Sequence, residues 1–229
     1  MVMIVAIHQP NYIPWIGYFH KIYNSDIFVF LDDVQYPKGQ LVNRNKIRTA
    51  AGETYLNVPV LTKGFSKQLI NEVQIDNHVN WRKKHWKSIF YNYNKAQYFD
   101  SFSPFFKELY KKEWEKLCEL NEYIIKNITE MMGIETSFIR STELDIEGKS
   151  TERLVNIVMA VGGDTYLSGT GAKSYTDENM FQENGLNLKY QDFHHPYYNQ
   201  LFGAFIPKMS IIDMLFNEGK KSLDLIRGA

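Results

Sequence analysis

Two short apolar runs near the start of the chain are separated by a stretch with helical spacing. Residues 3–7 and 27–31 are continuous apolar runs rich in branched side chains, which predicts strands buried on both faces. Between them, residues 17–24 carry large apolar side chains at positions that share one side of a helix. A strand, a short helix and a strand in this order predict a βαβ unit with parallel strands.

The next part of the chain predicts a hairpin and then a helical middle. Residues 43–48 and 54–60 alternate in polarity on the two sides of a turn at Gly52, which is typical of a β-hairpin. Helical spacing predicts one helix over residues 77–93 and one long helix over 101–132, which ends at the glycine that follows. Shorter elements complete the pattern: strands at 137–141, 165–167 and 186–193, and helices at 150–161 and 209–217.

The alternation of strands and helices predicts an α/β fold with a mostly parallel, Rossmann-like sheet. A β-hairpin insertion and a long central helical segment are added to it. No low-complexity linker or internal repeat divides the chain. We therefore expect a single α/β domain over residues 1–229, with a helical elaboration around 77–132.

A parallel sheet also predicts where a ligand would bind. In open parallel sheets, ligands lie beyond the carboxyl ends of the strands. Three predicted strands end in polar or small residues, namely His8-Gln9, Asp32-Asp33 and Ser168-Gly169. We expect these three loops to converge.

Composition narrows the classes of protein. The 26 Lys and Arg balance 26 Asp and Glu, which argues against a dedicated nucleic-acid binder. A single cysteine excludes an internal disulfide and a cysteine-rich zinc site. No apolar run approaches the roughly 20 residues that cross a membrane, and the apolar start lacks the features of a signal peptide. The sequence therefore predicts a cytoplasmic protein. Its 15% aromatic content fits an aromatic core, or a surface that stacks on a base or sugar.

The loop after the first strand is the first candidate site. It carries His8, Gln9, Tyr12 and Trp15, is stiffened by two prolines, and precedes Gly17 at the start of a helix. Helix N-termini favour anions, so the loop could hold a nucleotide or a phosphate. The alternative is a structural turn in which the tryptophan fills a gap.

Basic and histidine side chains supply further candidates. On a strand, Arg44 and Lys46 share one face and could bind phosphate, or they could be an ordinary solvated face. His78 lies near a predicted helix start and could exchange a proton near neutral pH. His78 and His85 lack the spacing of a helical zinc pair, so no metal site is predicted.

The second half of the chain adds a helix start and a glycine-rich loop. Arg153 lies in the first turn of a predicted helix, where a cation opposes the helix dipole unless an anion is near. Ser168 and Gly169 begin a glycine-rich loop after a strand, which lets a ligand approach the backbone. The loop lacks the spacing of the named phosphate-binding motifs.

These motifs together resemble the WbqC-like family. The resemblance rests on HQPNYIPWIGYFHKI, NRNKIR, His78 with Trp81, STERL, YLSGTGAKSY and PYYNQ…FIPKMSIIDMLFNEG, which cover nearly the whole chain. It implies a place among proteins of surface polysaccharide assembly, including O-antigens, where glycine transfer to an amino sugar has been proposed for some members. It implies His8 and His78 as catalytic residues. The implied substrate-binding residues are Gln9, Tyr12, Trp15, Gly17, Tyr18, Asn43, Arg44, Lys46, Trp81, Thr151, Arg153, Ser168, Gly169, Tyr175 and Gln200.

Four functional hypotheses follow. The first is an enzyme that transfers glycine or another acyl group to the amine of a nucleotide-linked amino sugar. The second is a module that binds a nucleotide sugar or glycan without chemistry. The third is an ATP-dependent amide ligase acting through an adenylate, by analogy with nucleotidyltransferase folds. The fourth is an enzyme that modifies a nucleotide or nucleic acid and holds an extruded base with aromatic side chains, against which the neutral charge counts. The partner in the first three is a small molecule. The sequence identifies no cofactor, and ATP would serve only the third hypothesis.

Overall fold

The computed structural model describes residues 2–62 and 67–229 and contains seven strands in that part of the chain. The strands are β1 (Ile4–His8), β2 (Ile27–Phe30), β3 (Arg44–Thr49), β4 (Gly52–Asn57), β5 (Ser137–Arg140), β6 (Thr165–Ser168) and β7 (Asn187–Tyr190). The helices are α1 (Ile16–Tyr23), α2 (Trp81–Tyr93), α3 (Phe99–Lys111), α4 (Leu117–Met131), α5 (Ser150–Ala160), α6 (Glu178–Glu183), α7 (Ile211–Glu218) and α8 (Lys221–Arg227).

Five of the strands form one parallel sheet in the order β5-β2-β1-β6-β7. From β1 the chain passes through α1 to β2 on one side. From the edge strand β5 it later crosses through α5 to β6 on the other side of β1. Connections therefore diverge between β1 and β6, which is the topological switch point where such sheets bind ligands. The predicted fold class, a parallel α/β sheet with a hairpin insertion, is confirmed.

Both faces of the sheet are buried. Successive side chains along a strand point to opposite faces, so neighbouring residues pack into different cores. Val5, Ile7 and Val29 pack against one group of side chains that includes Val155 and Phe181. Ala6, Phe28 and Phe30 belong to the larger core on the opposite face. The continuous apolar runs of β1 and β2 are explained by this two-sided burial.

The predicted hairpin is present as β3 and β4, which pair antiparallel from Arg44 opposite Asn57 to Thr49 opposite Gly52. It forms its own two-stranded sheet, separate from the parallel one. Arg48 joins it to the rest of the fold, since its guanidinium donates to the carbonyl oxygens of Phe202 and Ala204.

The prediction of one long helix over residues 101–132 is wrong, because the chain forms α3 and α4 with an extended break between them. At the break, the backbone N–H of Ile75 donates to the carbonyl oxygen of Glu115, and that of Leu117 donates to Val73. Trp114 is buried there. Pairing with residues 73–75 thus takes the backbone groups that a continuous helix would use. The predicted end at Gly133, with φ of 70°, is confirmed.

The late strand is also shorter than predicted. Residues 186–193 were predicted as one strand, whereas β7 covers Asn187–Tyr190. No helix in the described part of the chain is long and apolar enough to cross a membrane.

Candidate functional site

A cavity of about 510 Å³ lies at the carboxyl ends of β1 and β6, at the switch point. We call it the first cavity. Its lining residues are Ile7, His8, Gln9, Lys21, Leu31, Val34, Gln40, Ser150, Thr151, Arg153, Leu154, Tyr166, Ser168, Gly169, Gly171, Ala172, Tyr175 and Thr176. The loops after β1 and β6 meet here, and the residues that flank Asp32-Asp33 line the same space. The three strand ends thus converge.

A second cavity of about 350 Å³ adjoins the first. Its lining residues are His8, Trp15, Gly17, Tyr18, Lys21, Gly169, Thr170, Gly171, Gln191, Phe193, His195 and Lys208. His8, Lys21, Gly169 and Gly171 line both cavities. We call the two cavities together the cleft, and its junction is where these four residues lie.

The charge of the cleft has one sign. Lys21, Arg153 and Lys208 line it, and no Asp or Glu is among the residues that line either cavity in the described part of the chain. The chain as a whole carries equal numbers of acidic and basic residues. The cleft is therefore a local cationic site in a neutral protein, which suits an anionic ligand.

Lys21 is the most unusual cation of the cleft. It is 3% exposed, and its Nζ donates to the carbonyl oxygen of Ile7 at 3.0 Å. Nζ also lies 5.9 Å from the centre of the Tyr166 ring. Burial lowers the pKa of Lys21 to about 7, since no carboxylate among the described residues pairs with it. A bound anion would supply the missing countercharge.

His8 lies beside this lysine with one ring nitrogen available. Its Nδ1 is 3.0 Å from the carbonyl oxygen of Gln9, and a carbonyl only accepts, so Nδ1 carries the proton. Nε2 is then the acceptor, and it has no hydrogen-bond partner among the described residues. Burial and the charge of Lys21 lower the pKa of His8 to about 4. The ring is thus neutral at physiological pH, with a lone pair free to accept a proton.

Arg153, in the first turn of α5, is another cation that lines the first cavity. Its guanidinium pairs with the carboxylate of Asp33 and donates to the carbonyl oxygen of Ile146 at 2.6 Å. Its Nε is buried and has no hydrogen-bond partner among the residues that the structure describes. The Asp33 carboxylate also accepts from the Ser141 hydroxyl at 2.7 Å. Asp33 and the carbonyl oxygen of Ile146 therefore fix the position of the arginine.

The second cavity has an aromatic wall at the start of α1. Trp15 stacks on His195, with ring centres 6.3 Å apart, and meets Phe193 edge to face. A Cβ at Gly17 would lie 2.5 Å from the Trp15 ring, so only glycine fits beneath the indole. Lys208 also lines this cavity; it has a left-handed backbone with φ of 61°, and its N–H donates to His195 Nε2 at 3.0 Å.

Ten of the predicted site residues line the cleft. They are His8, Gln9, Trp15, Gly17, Tyr18, Thr151, Arg153, Ser168, Gly169 and Tyr175. Two of them are held by hydrogen bonds to the backbone: the Tyr18 hydroxyl donates to the carbonyl oxygen of Gln9, and the Thr151 hydroxyl accepts from the backbone N–H of Asp177. Tyr175 differs, since it is 69% exposed at the mouth of the first cavity.

Two predicted aromatic residues are not brought to the cleft. Tyr12 is fully buried, receives a hydrogen bond from the Tyr110 hydroxyl at 2.6 Å, and donates to His85 Nδ1 at 2.8 Å. His85 Nε2 in turn donates to the carbonyl oxygen of Asn57. Trp81 is 2% exposed and packs edge to face on His85 and Tyr110. Tyr12 therefore belongs to a core hydrogen-bond chain, and Trp81 packs against that chain while its indole N–H donates to Asn77.

The basic strand β3 is also separate from both cavities. Lys46 pairs with Glu53 at 2.6 Å, and Arg44 lies over the Tyr55 ring at 4.9 Å from its centre. Asn43 donates to the carbonyl oxygen of Val58 at 2.9 Å. Arg44 also donates to the carbonyl oxygen of Gly39, in the loop before β3. The contacts of these three side chains therefore lie within the hairpin and the segments that flank it.

His78 and Gln200 lie elsewhere. His78 is exposed in the turn before α2, and its backbone N–H donates to Asp76. The Gln200 amide donates to the carbonyl oxygen of Ile206 and to Asp213. Asp213 also accepts from the hydroxyls of Tyr93 and Tyr198, so Gln200 completes a buried network around one carboxylate.

Lys21, Lys208, Gln191 and His195 line the cleft but were not among the predicted site residues. Lys21 lies within the first family motif, four residues after Gly17 and three after Tyr18, on the same side of α1. Lys208 lies within the last motif, but three matching residues at 208–210 were too few to predict a role. Its place beside α1 depends on tertiary contacts, which include the bridge of Ser210 with Trp15 and the bond from the Ile211 N–H to Pro14.

One buried cluster could suggest a metal. Ligand atoms of Asp32, Cys118 and Glu122 lie within 4.8 Å of one another. Glu122 already pairs with Arg140 at 2.8 Å and accepts from the Cys118 thiol at 3.2 Å. Burial raises the pKa of Cys118, so the thiol keeps its proton. The contacts are those of a hydrogen-bonded core cluster.

Comparisons with known proteins agree with the sequence motifs. The model of the WbqC-like protein family matches residues 9–225. A protein of Mycobacterium tuberculosis (strain ATCC 25618 / H37Rv), named "Uncharacterized protein Rv1507c", is 38% identical over 225 residues, which are 97% of each chain. No solved structure is significantly similar to the chain. Both the matching motifs and the extent of the match lead to one conclusion: the chain belongs to the WbqC-like protein family.

Proposed function

We propose that this protein transfers an aminoacyl group, such as glycyl, or another acyl group to the amine of a nucleotide-linked amino sugar, as a step in surface polysaccharide assembly. The observation that carries the proposal is the junction of the cleft. There a neutral histidine with a free Nε2 lies beside a buried lysine that has no carboxylate partner among the described residues. The lysine would bind an anionic substrate, and the histidine beside it would accept a proton.

The first cavity supports recognition of the nucleotide-linked sugar. Arg153 and Lys21 are the two cations that line it, and a guanidinium binds phosphate oxygens with fixed geometry. The hydroxyls of Ser150 and Thr176 and the amide of Gln40 are polar groups of the kind that bind sugar hydroxyls. Tyr175 offers an exposed ring at the cavity mouth for the base or the sugar.

The chemistry assigned to His8 is general base catalysis. The amine nitrogen of the sugar attacks the acyl carbon, a new C–N bond forms, and the bond from that carbon to the leaving group breaks. The leaving group takes the electron pair, and His8 Nε2 accepts the proton lost by the amine. A phosphate bound near Lys21 would also raise the pKa of His8, which makes it a better base when substrate is present.

Binding of a nucleotide-linked amino sugar is tested by calorimetry with a panel of such sugars. We expect wild-type protein to bind at least one, and Arg153→Lys to weaken that affinity by about tenfold, because lysine keeps the charge but loses the bidentate geometry. Lys46→Met, in the hairpin, is the matched control and should change affinity by no more than about twofold. Equal affinity in Arg153→Lys would contradict the assignment of the first cavity.

Turnover is tested by mass spectrometry of the sugar after incubation with glycine, ATP or a pre-activated glycyl donor. A new amide on the amino sugar supports the transferase. If AMP forms together with the amide, the route is the ATP-dependent ligase. Tight binding of the sugar without an amide from any donor would contradict the proposal and favour a binding module.

A further inference from the structure

We propose that the second cavity is a separate subsite for an activated acyl donor, namely an acyl phosphate or an acyl adenylate, with Lys208 binding its phosphate. This inference rests on the proposed transfer reaction and adds the chemical class of the second substrate. It assigns the two arms of the cleft to the two reactants. The sugar occupies the first cavity, the donor occupies the second, and they meet at His8 and Lys21.

The shapes of the two cavities support this division. Among the described residues they share only the four junction residues. The other residues of each cavity come from different elements, except that Ala172 of the first and Thr170 of the second belong to one turn after β6. The wall of the first cavity includes the start of α5 and the loop before α6. The wall of the second is formed by the start of α1 and the segment that follows β7. A cavity of about 350 Å³ is in the usual size range for small-molecule sites.

The lining of the second cavity suits a phosphate joined to an acyl group. Its cations are Lys21 and Lys208, and no carboxylate lines it in the part of the chain described. Lys21 is 3% exposed, and only one of the three N–H donors of its ammonium has a hydrogen-bond partner among the described residues. The rings of Trp15 and Phe193 give the cavity an apolar side. A phosphate would lie toward the lysines, and the acyl group toward the junction.

Lys208 is held in a position that costs conformational energy. A left-handed backbone is uncommon for a lysine, and such strain tends to accumulate at functional sites. His195 maintains it, since its Nε2 accepts from the Lys208 N–H while its Nδ1–H donates to the carbonyl oxygen of Pro196 at 2.9 Å. The stack of His195 on Trp15 connects this support to the start of α1.

The reaction balances with these assignments. The amine nitrogen of the sugar attacks the carbonyl carbon of the donor, and the C–O bond to the phosphate breaks. The phosphate leaves with the electron pair as an anion, which Lys208 and Lys21 stabilise. His8 Nε2 takes the proton from the amine. An acyl phosphate and an acyl adenylate share this chemistry, and they differ in whether the donor is supplied ready-made or formed from ATP and a carboxylate.

The test measures binding of three probes by calorimetry: acetyl phosphate, inorganic pyrophosphate and ATP. The variant Lys208→Gly removes the ammonium and also removes the backbone strain, so the protein should fold at least as well as the wild type. We expect Lys208→Gly to weaken the affinity for whichever of the three probes binds the wild type by at least about tenfold. Lys208→Arg should restore affinity to within about threefold. Lys189→Ala, an exposed lysine on β7, is the matched control.

The outcomes separate the two phosphate sources. Binding of acetyl phosphate without ATP indicates a ready-made acyl phosphate, whereas binding of ATP that tightens with glycine indicates adenylate formation in place. Unchanged affinity in Lys208→Gly, or no binding of any of the three probes to the wild type, would overturn the subsite.

The test also separates this inference from the proposed function. If nucleotide-linked amino sugars bind through Arg153 but none of the phosphate probes binds, only the donor subsite is overturned. If a probe binds through Lys208 but no amino sugar is ever acylated, the anion subsite stands and the proposed transfer is overturned. Binding of a phosphate probe to protein already saturated with the sugar would support two separate cavities, and mutual exclusion would contradict them.

Discussion

The ammonium group of Lys21 donates to the carbonyl oxygen of Ile7 over 3.0 Å, so that a helix side chain reaches back over the carboxyl end of the first strand. This contact places a cation beside the residue that precedes His8. Lys21 lines both cavities, so the cation lies at their junction. The backbone carbonyl offers only a partial negative charge. The protein therefore keeps a buried lysine at a cost in stability, as expected when a site is organised for a ligand.

Replacing Lys21 should reveal that cost. Burial lowers its pKa to about 7, below the value near 10.4 of an unfolded chain. Between these two values the unfolded state binds more protons, so stability rises with pH over this range. Below pH 7 both states are protonated, and the full penalty is present. We expect Lys21→Met to be more stable than the wild type at pH 7, on the order of 1–4 kcal/mol.

The measurement is thermal unfolding of both proteins from pH 6 to pH 10. The advantage of Lys21→Met should shrink steadily as the pH rises toward 10. The exposed Lys189→Met serves for comparison and should show a difference that does not depend on pH. A constant advantage of Lys21→Met across the range would contradict the lowered pKa.

His8 should govern turnover, and His78 should not. His8→Ala is expected to lower kcat by about 10²- to 10⁴-fold, which is the usual contribution of a general base. His78 is exposed in the turn before α2, so His78→Ala should keep wild-type rates. Rates from the amide-forming assay decide between them. Equal losses in both variants would mean that the cleft is not the only site of proton transfer.

The pH profile gives an independent check on His8. Its pKa is about 4 in the free protein, because of burial and the charge of Lys21. Since the pH dependence of kcat/KM reports groups of the free enzyme, its acid limb should lie well below the usual histidine value of about 6.5. A histidine limb near pH 6.5 that disappears in His8→Ala would show that the ring is more solvated than the structure indicates.

Tyr175 and Tyr197 form a matched pair for testing stacking. They are 69% and 73% exposed, but only Tyr175 lines the first cavity. Tyr175→Ala should weaken binding of a nucleotide-linked sugar by about 1–3 kcal/mol, the range for stacking of one base on an aromatic ring. Tyr197→Ala should leave it unchanged, and neither should alter the melting temperature. Calorimetry that finds the same loss in both would argue against stacking at the cavity mouth.

Gly17 should be required for packing and not for flexibility. A Cβ there would lie 2.5 Å from the Trp15 ring, which is too close unless the indole moves. Gly17→Ala should destabilise the protein by about 1–3 kcal/mol, even though alanine favours helix. At Gly169 φ is −72°, and an added Cβ would meet no described atom within 4 Å apart from its chain neighbours, so Gly169→Ala should be neutral in chemical denaturation. Neutrality of Gly17→Ala would imply that Trp15 moves freely.

The sequence predicted the backbone framework of the site well. Apolar runs at β1 and β2 indicated strands buried on both faces, and the parallel-sheet rule then placed the ends of β1 and β6 together. That inference required only the order of elements and the general position of ligands in such sheets. It located His8, Gln9, Ser168 and Gly169 because these residues directly follow or end strands.

The roles of individual side chains were harder to predict, since they depend on contacts distant in sequence. Arg44 and Lys46 are residue types that often bind phosphate. On the partner strand, however, Tyr55 contacts Arg44 and Glu53 pairs with Lys46. Tyr12 lies in the loop after β1, between residues that line the cleft, but Tyr110 and His85 hold its hydroxyl in the core. Only the tertiary structure identifies these partners.

The antiparallel bridge between Trp15 and Ser210 has a consequence for the order in which the cleft is completed during synthesis. All five strands of the parallel sheet precede residue 191, so they are synthesised before the segment that carries Lys208. The backbone N–H of Ile211 donates to the carbonyl oxygen of Pro14, and until that bond forms the side of the second cavity that carries Lys208 is missing. A chain halted shortly after β7 would also lack α7, whose Ile212 and Phe216 are fully buried in the larger core. The last segment to be made therefore completes the core and the second cavity together.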